Sequence, residues 1–182
     1  MARLLYSFCI VLLGIGTANA ESFHHADGSS MLLQEIEKKG ASAVVRRLWG
    51  QSDWEVLTRS IASGQPAWID VALKLRGASD AGASSELHDA LFEALGRNPT
   101  YILQVVGMNG AVYSPVQLED ICRGRADPLT TYEEAIAELS RTTDAVEKVK
   151  NKKLQEKKNI CIEELRSGKD DLAIFFGKKN RD

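Results

Sequence analysis

Histidine, cysteine and proline are scarce in this chain, with three, three and four copies among 182 residues. So few histidines leave little material for a catalytic base or a metal site. No H-E-x-x-H, G-x-S-x-G or phosphate-cradling glycine loop makes up for the shortage. The glycines stand singly at the ends of apolar segments, where they act as helix stops. Sustained period-two alternation is also missing, and the Asn109 and Gly110 pair joins helix-like segments, so a sheet is not expected. A strongly basic face is lacking as well. The formal charge is −2, which argues against a nucleic-acid-binding protein.

There is only one long apolar run, and it lies at the start. "MARLLYSFCIVLLGIGTANA" has Arg3, an apolar core from Leu4 to Gly16, and Ala18 and Ala20 in an A-x-A arrangement. That is the secretory signal pattern, with cleavage expected between Ala20 and Glu21. The run of about 13 residues is short of the roughly 20 that span a bilayer. The expectation is an exported protein, periplasmic or secreted, with no transmembrane span in the mature chain. Cleavage removes one arginine and no acid, leaving 22 basic and 25 acidic residues. The charge is unevenly placed. Residues 21–143 hold 11 basic and 17 acidic side chains, and residues 144–182 hold 11 and 8.

Cys9 leaves with the signal, and the remaining two cysteines, Cys122 and Cys161, are expected to pair in an oxidising compartment. With no histidine or third cysteine near either one, neither metal nor cofactor is expected.

The mature chain reads as residues 21–28, a polar leader containing His24 and His25, followed by one helical domain over 29–182. Within it, 29–122 forms an array of about seven short helices. Ser30 is placed to cap the first, with Leu32, Leu33 and Ile36 inward and Gly40 as its stop. Val44, Val45 and Leu48 form the next stripe. Ser52 and Glu55 have capping-box spacing, ahead of Trp54, Leu57 and Ile61. Pro66 suits a first helical turn, ahead of Trp68, Ala72 and Leu75. Leu87, Leu91 and Leu95 mark a fifth helix and Ile102 to Val106 a sixth. A seventh, with Pro115 in its first turn, delivers Cys122. The regular spacing resembles stacked helix pairs, although no fixed repeat period exists.

Residues 129–166 contain a run that would by itself form a single helix of about 36 residues, roughly 55 Å long. A disulfide holds Cα atoms within about 7 Å, so Cys122 and Cys161 require the chain to turn back. The expected turn is 140–144, where threonines and Asp144 favour a cap over a helix interior. The fold class is therefore all-α, a short-helix array followed by a disulfide-closed helical hairpin, the ring worth roughly 3–4 kcal/mol. Residues 167–182 form a tail whose Leu172, Ile174, Phe175 and Phe176 are expected to fold back on the body.

All three tryptophans fall between Leu48 and Trp68. Trp54 and Trp68 lie in phase with apolar stripes and are expected to face each other in the core. Trp49, next to Gly50, is the candidate surface contact. The run 148–158 holds Lys148, Lys150, Lys152, Lys153, Lys157 and Lys158, either a solvated face or a site for an anionic polymer or lipid. His88, among Glu86, Asp89 and Glu93, flanks the apolar stripe and reads as a half-buried side chain. These features favour a non-enzymatic exported interaction protein whose partner is another exported or envelope protein. By size and export alone it is comparable to an inhibitor or immunity protein. Envelope association through the lysines, and a small hydrolase with no recognisable motif, are the alternatives. Intact-mass analysis of exported material should give a chain starting at Glu21, and a species retaining Met1 to Ala20 would overturn the signal assignment.

Overall fold

A computed structural model describes residues 26–108, 116–126 and 131–178. The signal segment, the Ala20/Glu21 cleavage point, His24, His25, Asn109, Gly110 and Pro115 lie outside the described residues. Within them the chain forms nine α-helices and one short 3-10 turn, with no strand. The short-helix array is α1 (Ala26–Lys39), α2 (Ala41–Leu48), α3 (Ser52–Ala62), α4 (Pro66–Arg76), α5 (Ala81–Arg97), α6 (Pro99–Val105) and α7 (Leu118–Cys122). The hairpin is α8 (Tyr132–Glu147), the 3-10 turn Lys152–Leu154 and α9 (Gln155–Phe175).

The apolar stripes form the core as expected. Val44, Leu57, Ile61, Ala72, Leu75, Leu87, Leu91, Leu95, Ile102 and Leu103 are buried. Helix α5 is the centre of the array. Ala83, Leu87, Ala90, Leu91, Phe92, Ala94 and Leu95 are all buried, more than a single face could supply. They meet α3, α4, α6, α7 and α8 on different sides. This differs from the stacked-pair arrangement suggested by spacing, in which each repeat touches only its neighbours.

Several helix starts differ from the expectation, because local capping patterns yield to packing. α1 starts at Ala26, so Ser30 is inside the helix. Ser52 is the first residue of α3, and Gln51 precedes it without a side-chain cap, so the capping box is not made. Asp80 and Asn98 do cap, accepting from the Ala83 and Tyr101 backbone N–H groups. Pro66 opens α4 as expected. The seventh helix starts only at Leu118.

The largest correction concerns the hairpin turn. α8 runs unbroken through 140–144, and the chain reverses after Glu147, around Lys148 to Asn151. The threonines are tolerated for visible reasons. Thr143 Oγ1 donates to the Leu139 carbonyl at 2.9 Å. Thr142 is buried with its hydroxyl against Gly96 of α5, where an added Cβ would stand 3.0 Å away. Thr142 continues the stripe Ala135, Leu139, Val146, so packing against α5 outweighs the weak local preference for a cap. Asn151, not Asp144, caps the 3-10 turn that leads into α9, accepting from Lys153 N at 3.0 Å. The tail is also shorter than expected, because α9 extends to Phe175.

The Cys122–Cys161 bond is present, with a Cα separation of 5.1 Å, and it fastens α7 to the first half of α9. Further along α9, Gly168 lies so close to the Arg123 carbonyl that an added Cβ would overlap the oxygen. Backbone on both sides of that contact leaves little room to relax. Gly168→Ala should therefore destabilise by about 2–3 kcal/mol, while Ala at the exposed neighbour Lys169 should stay within about 0.5 kcal/mol. Urea denaturation with the disulfide intact measures both.

Candidate functional site

The disulfide and the Gly168 contact bring residues 123–126 across α5, and this short segment organises the surface there. His88 Nε2 lies 2.7 Å from the Gly124 carbonyl. A carbonyl only accepts, so this ring nitrogen carries the proton and donates. Asp89 Oδ1 accepts from the Ala126 backbone N–H at 2.7 Å. The histidine and its neighbouring acid, the natural candidates for catalysis, are thus engaged in holding a loop.

Arg125 then reaches between α5 and α8. Its Nε donates to Glu138 Oε2 at 2.7 Å, and Nη2 donates to Glu138 Oε1 at 2.9 Å and to Glu93. Asp89 is 3.7 Å from Nη1. Burial works to lower the guanidinium pKa, but the hydrogen bonds and charges of Glu138 and Glu93 outweigh it and hold the group above its ordinary value. Arg125 and Glu138 are 16% and 14% exposed, so the cluster is screened less than a surface pair would be.

Arg125 separates two clefts. The smaller, about 230 Å³, is polar and is lined by Thr58, Arg59, Glu86, Asp89 and Glu93. Glu86 there accepts from Trp54 Nε1 at 2.8 Å, which gives the buried indole its partner. His88 lines neither cleft. The larger, about 280 Å³, opens between α8, α9 and residues 123–126. Phe92, Ala135, Leu139 and Leu172 give it an apolar floor, and Arg123, Asp171 and Phe175 stand at its edge. Arg123 Nε has two long ionic contacts, 3.4 Å to Glu164 and 3.6 Å to Asp171.

Beside this cleft the end of α9 presents aromatic side chains. Phe176 meets Tyr132 edge-on at 5.9 Å and Phe175 at 5.0 Å. Lys178 Nζ lies 5.5 Å from the Tyr132 ring centroid and 3.6 Å from Glu133. The apolar tail therefore docks in part: Ala173 is buried and Phe176 half-buried, while Ile174 and Phe175 are 78% and 67% exposed.

The residues singled out from sequence do not converge on this site. Trp49 is half-buried, its ring edge-on to Trp54 at 5.1 Å and against Gly82, where a Cβ would stand 2.9 Å away. The ring partner of Trp54 is thus Trp49, which corrects the expected facing of Trp54 and Trp68. Trp54 and Trp68 are both buried as expected. The lysines divide. Lys157 donates to the Val106 carbonyl, and Lys158 to the Glu147 and Val149 carbonyls at 2.6 and 3.1 Å. Lys158 thereby satisfies carbonyls left over at and beyond the end of α8. Lys148, Lys150, Lys152 and Lys153 are exposed around the turn. Among the described residues no three histidine, cysteine or acidic side chains are placed to hold a metal, and no helix is long and apolar enough to cross a membrane.

Arg123 and Arg125 escaped sequence reasoning, although "CRGR" opens with a cysteine expected to be bonded. Replacing Arg125 with methionine leaves Asp89, Glu93 and Glu138 facing one another. The variant should lose about 2–4 kcal/mol of stability near neutral pH. Urea denaturation near neutral pH measures the effect. Comparison of the chain with protein-family models finds no match, and neither does comparison with curated proteins or with solved structures.

Proposed function

We propose that this chain is an exported, non-enzymatic interaction protein that engages another exported or envelope protein through the α8–α9 end. The observation that carries this reading is the pair Ile174 and Phe175, 78% and 67% exposed, next to an open apolar-floored cleft. Large apolar side chains grouped at the mouth of a cleft favour contact with a partner over contact with water. The engagement of His88 and Asp89 in loop-holding hydrogen bonds supports binding over hydrolysis. The signal pattern of residues 1–20 and the Cys122–Cys161 bond are compatible with export.

Envelope association through lysines is the second reading, and it rests on Lys148, Lys150, Lys152 and Lys153 alone, because Lys157 and Lys158 are bonded internally. A photo-crosslinking side chain at position 174, in cells exporting the protein, should yield a discrete adduct with one other protein. The same side chain at exposed Gln104 should not. No adduct at 174, or identical adducts at both positions, would overturn the proposal.

A further inference from the structure

We infer that the α8–α9 cleft takes a basic, apolar segment of the partner, with an apolar side chain entering the cavity and a lysine or arginine beside it lying over Phe175 and against Asp171. This rests on the proposed function and adds the chemistry of the partner. The cavity of about 280 Å³ is large enough for one or two apolar side chains, and its floor of Phe92, Leu139 and Leu172 offers them nothing polar to satisfy.

Charge decides what accompanies them. Among the lining residues Arg123 and Arg125 balance Glu138 and Asp171. The ion partners of the two arginines, Glu164, Asp89 and Glu93, add three more carboxylates, and Arg97 beside Glu93 adds one cation. Counted with their ion partners the arginines are outnumbered by carboxylates, although Asp89 and Glu93 line the smaller cleft. Arg125 is enclosed by acids and unavailable to an anion, and Arg123 already lies between two carboxylates. Arg123 is as exposed as Asp171, 60% against 59%, but it already has two carboxylates beside it, whereas Asp171 has one long contact, to Arg123, and stands open to an incoming cation.

The chain's own Lys178 shows the same chemistry one ring away. Its ammonium rests over Tyr132 and close to Glu133, a cation held by an aromatic face and a carboxylate. Phe175, more exposed and with Asp171 one helical turn before it, presents an equivalent aromatic and acidic pair to an incoming cation.

Two amidated hexapeptides test the inference on the mature protein by amide chemical-shift titration. One alternates lysine with leucine and phenylalanine, and the other replaces each lysine with glutamate. The basic peptide should give saturable shifts centred on Gly124, Glu138, Gly168, Asp171 and Phe175, with the acidic peptide binding at least about fivefold more weakly. Phe175→Ala and Asp171→Asn, both at exposed positions, should each weaken the basic peptide about threefold to fivefold without altering thermal unfolding. Equal binding of the two peptides, preference for the acidic one, or saturable shifts elsewhere would overturn the inference. A position-174 adduct alongside any of those results would leave the interaction reading standing and remove only the basic-apolar segment.

Discussion

The bond between Cys122 and Cys161 is the constraint on which the α8–α9 end of the molecule depends. It pins the last residue of α7 to α9, both cysteines fully buried. The chain leaving α7 must then cross α9 at contact distance, which only a glycine at 168 permits. Residues 123–126 are consequently held against α5, and Arg125 is delivered between α5 and α8. The cleft, its charged edge and the aromatic end of α9 follow from that one crossing.

Arg125 turns this covalent constraint into a packing one. Through Glu93 on α5 and Glu138 on α8 it joins the short-helix array to the hairpin with charge-assisted hydrogen bonds. The close contact of Thr142 with Gly96 reinforces the same interface. Hydrogen bonds and close packing thus join the loop and the hairpin to α5 along one side of the cleft.

Much of the architecture was legible in the residues. Apolar spacing located the helices of the array, and Pro66 marked the start of α4. Two cysteines following a signal pattern indicated both their own pairing and a reversal between them. The reversal lies about two helical turns beyond the point that the local preferences of Thr142, Thr143 and Asp144 indicate. Neither the space that Thr142 fills beside Gly96 nor the Leu139 carbonyl that accepts from Thr143 can be seen from local preference. The same limit applies to the caps. Ser52 and Glu55 have the right spacing for a box that the backbone does not use, whereas Asp80 and Asn98 cap helices with no such pattern to announce them.

The candidate site divides along a similar line. Composition and order alone determined an all-helical chain, the pairing of Cys122 with Cys161, and indoles in phase with core stripes. Those properties depend on spacing within one segment or on simple counting. Tertiary structure alone decided that Trp49 and not Trp68 meets Trp54, that His88 and Asp89 hold a loop, that Lys157 and Lys158 are engaged by backbone carbonyls, and that Arg125 collects acids from two helices. Most of these join residues distant in the chain, such as Lys157 with Val106 and His88 with Gly124. Local sequence does not encode such meetings, because they arise only when the whole core has chosen which helix faces which.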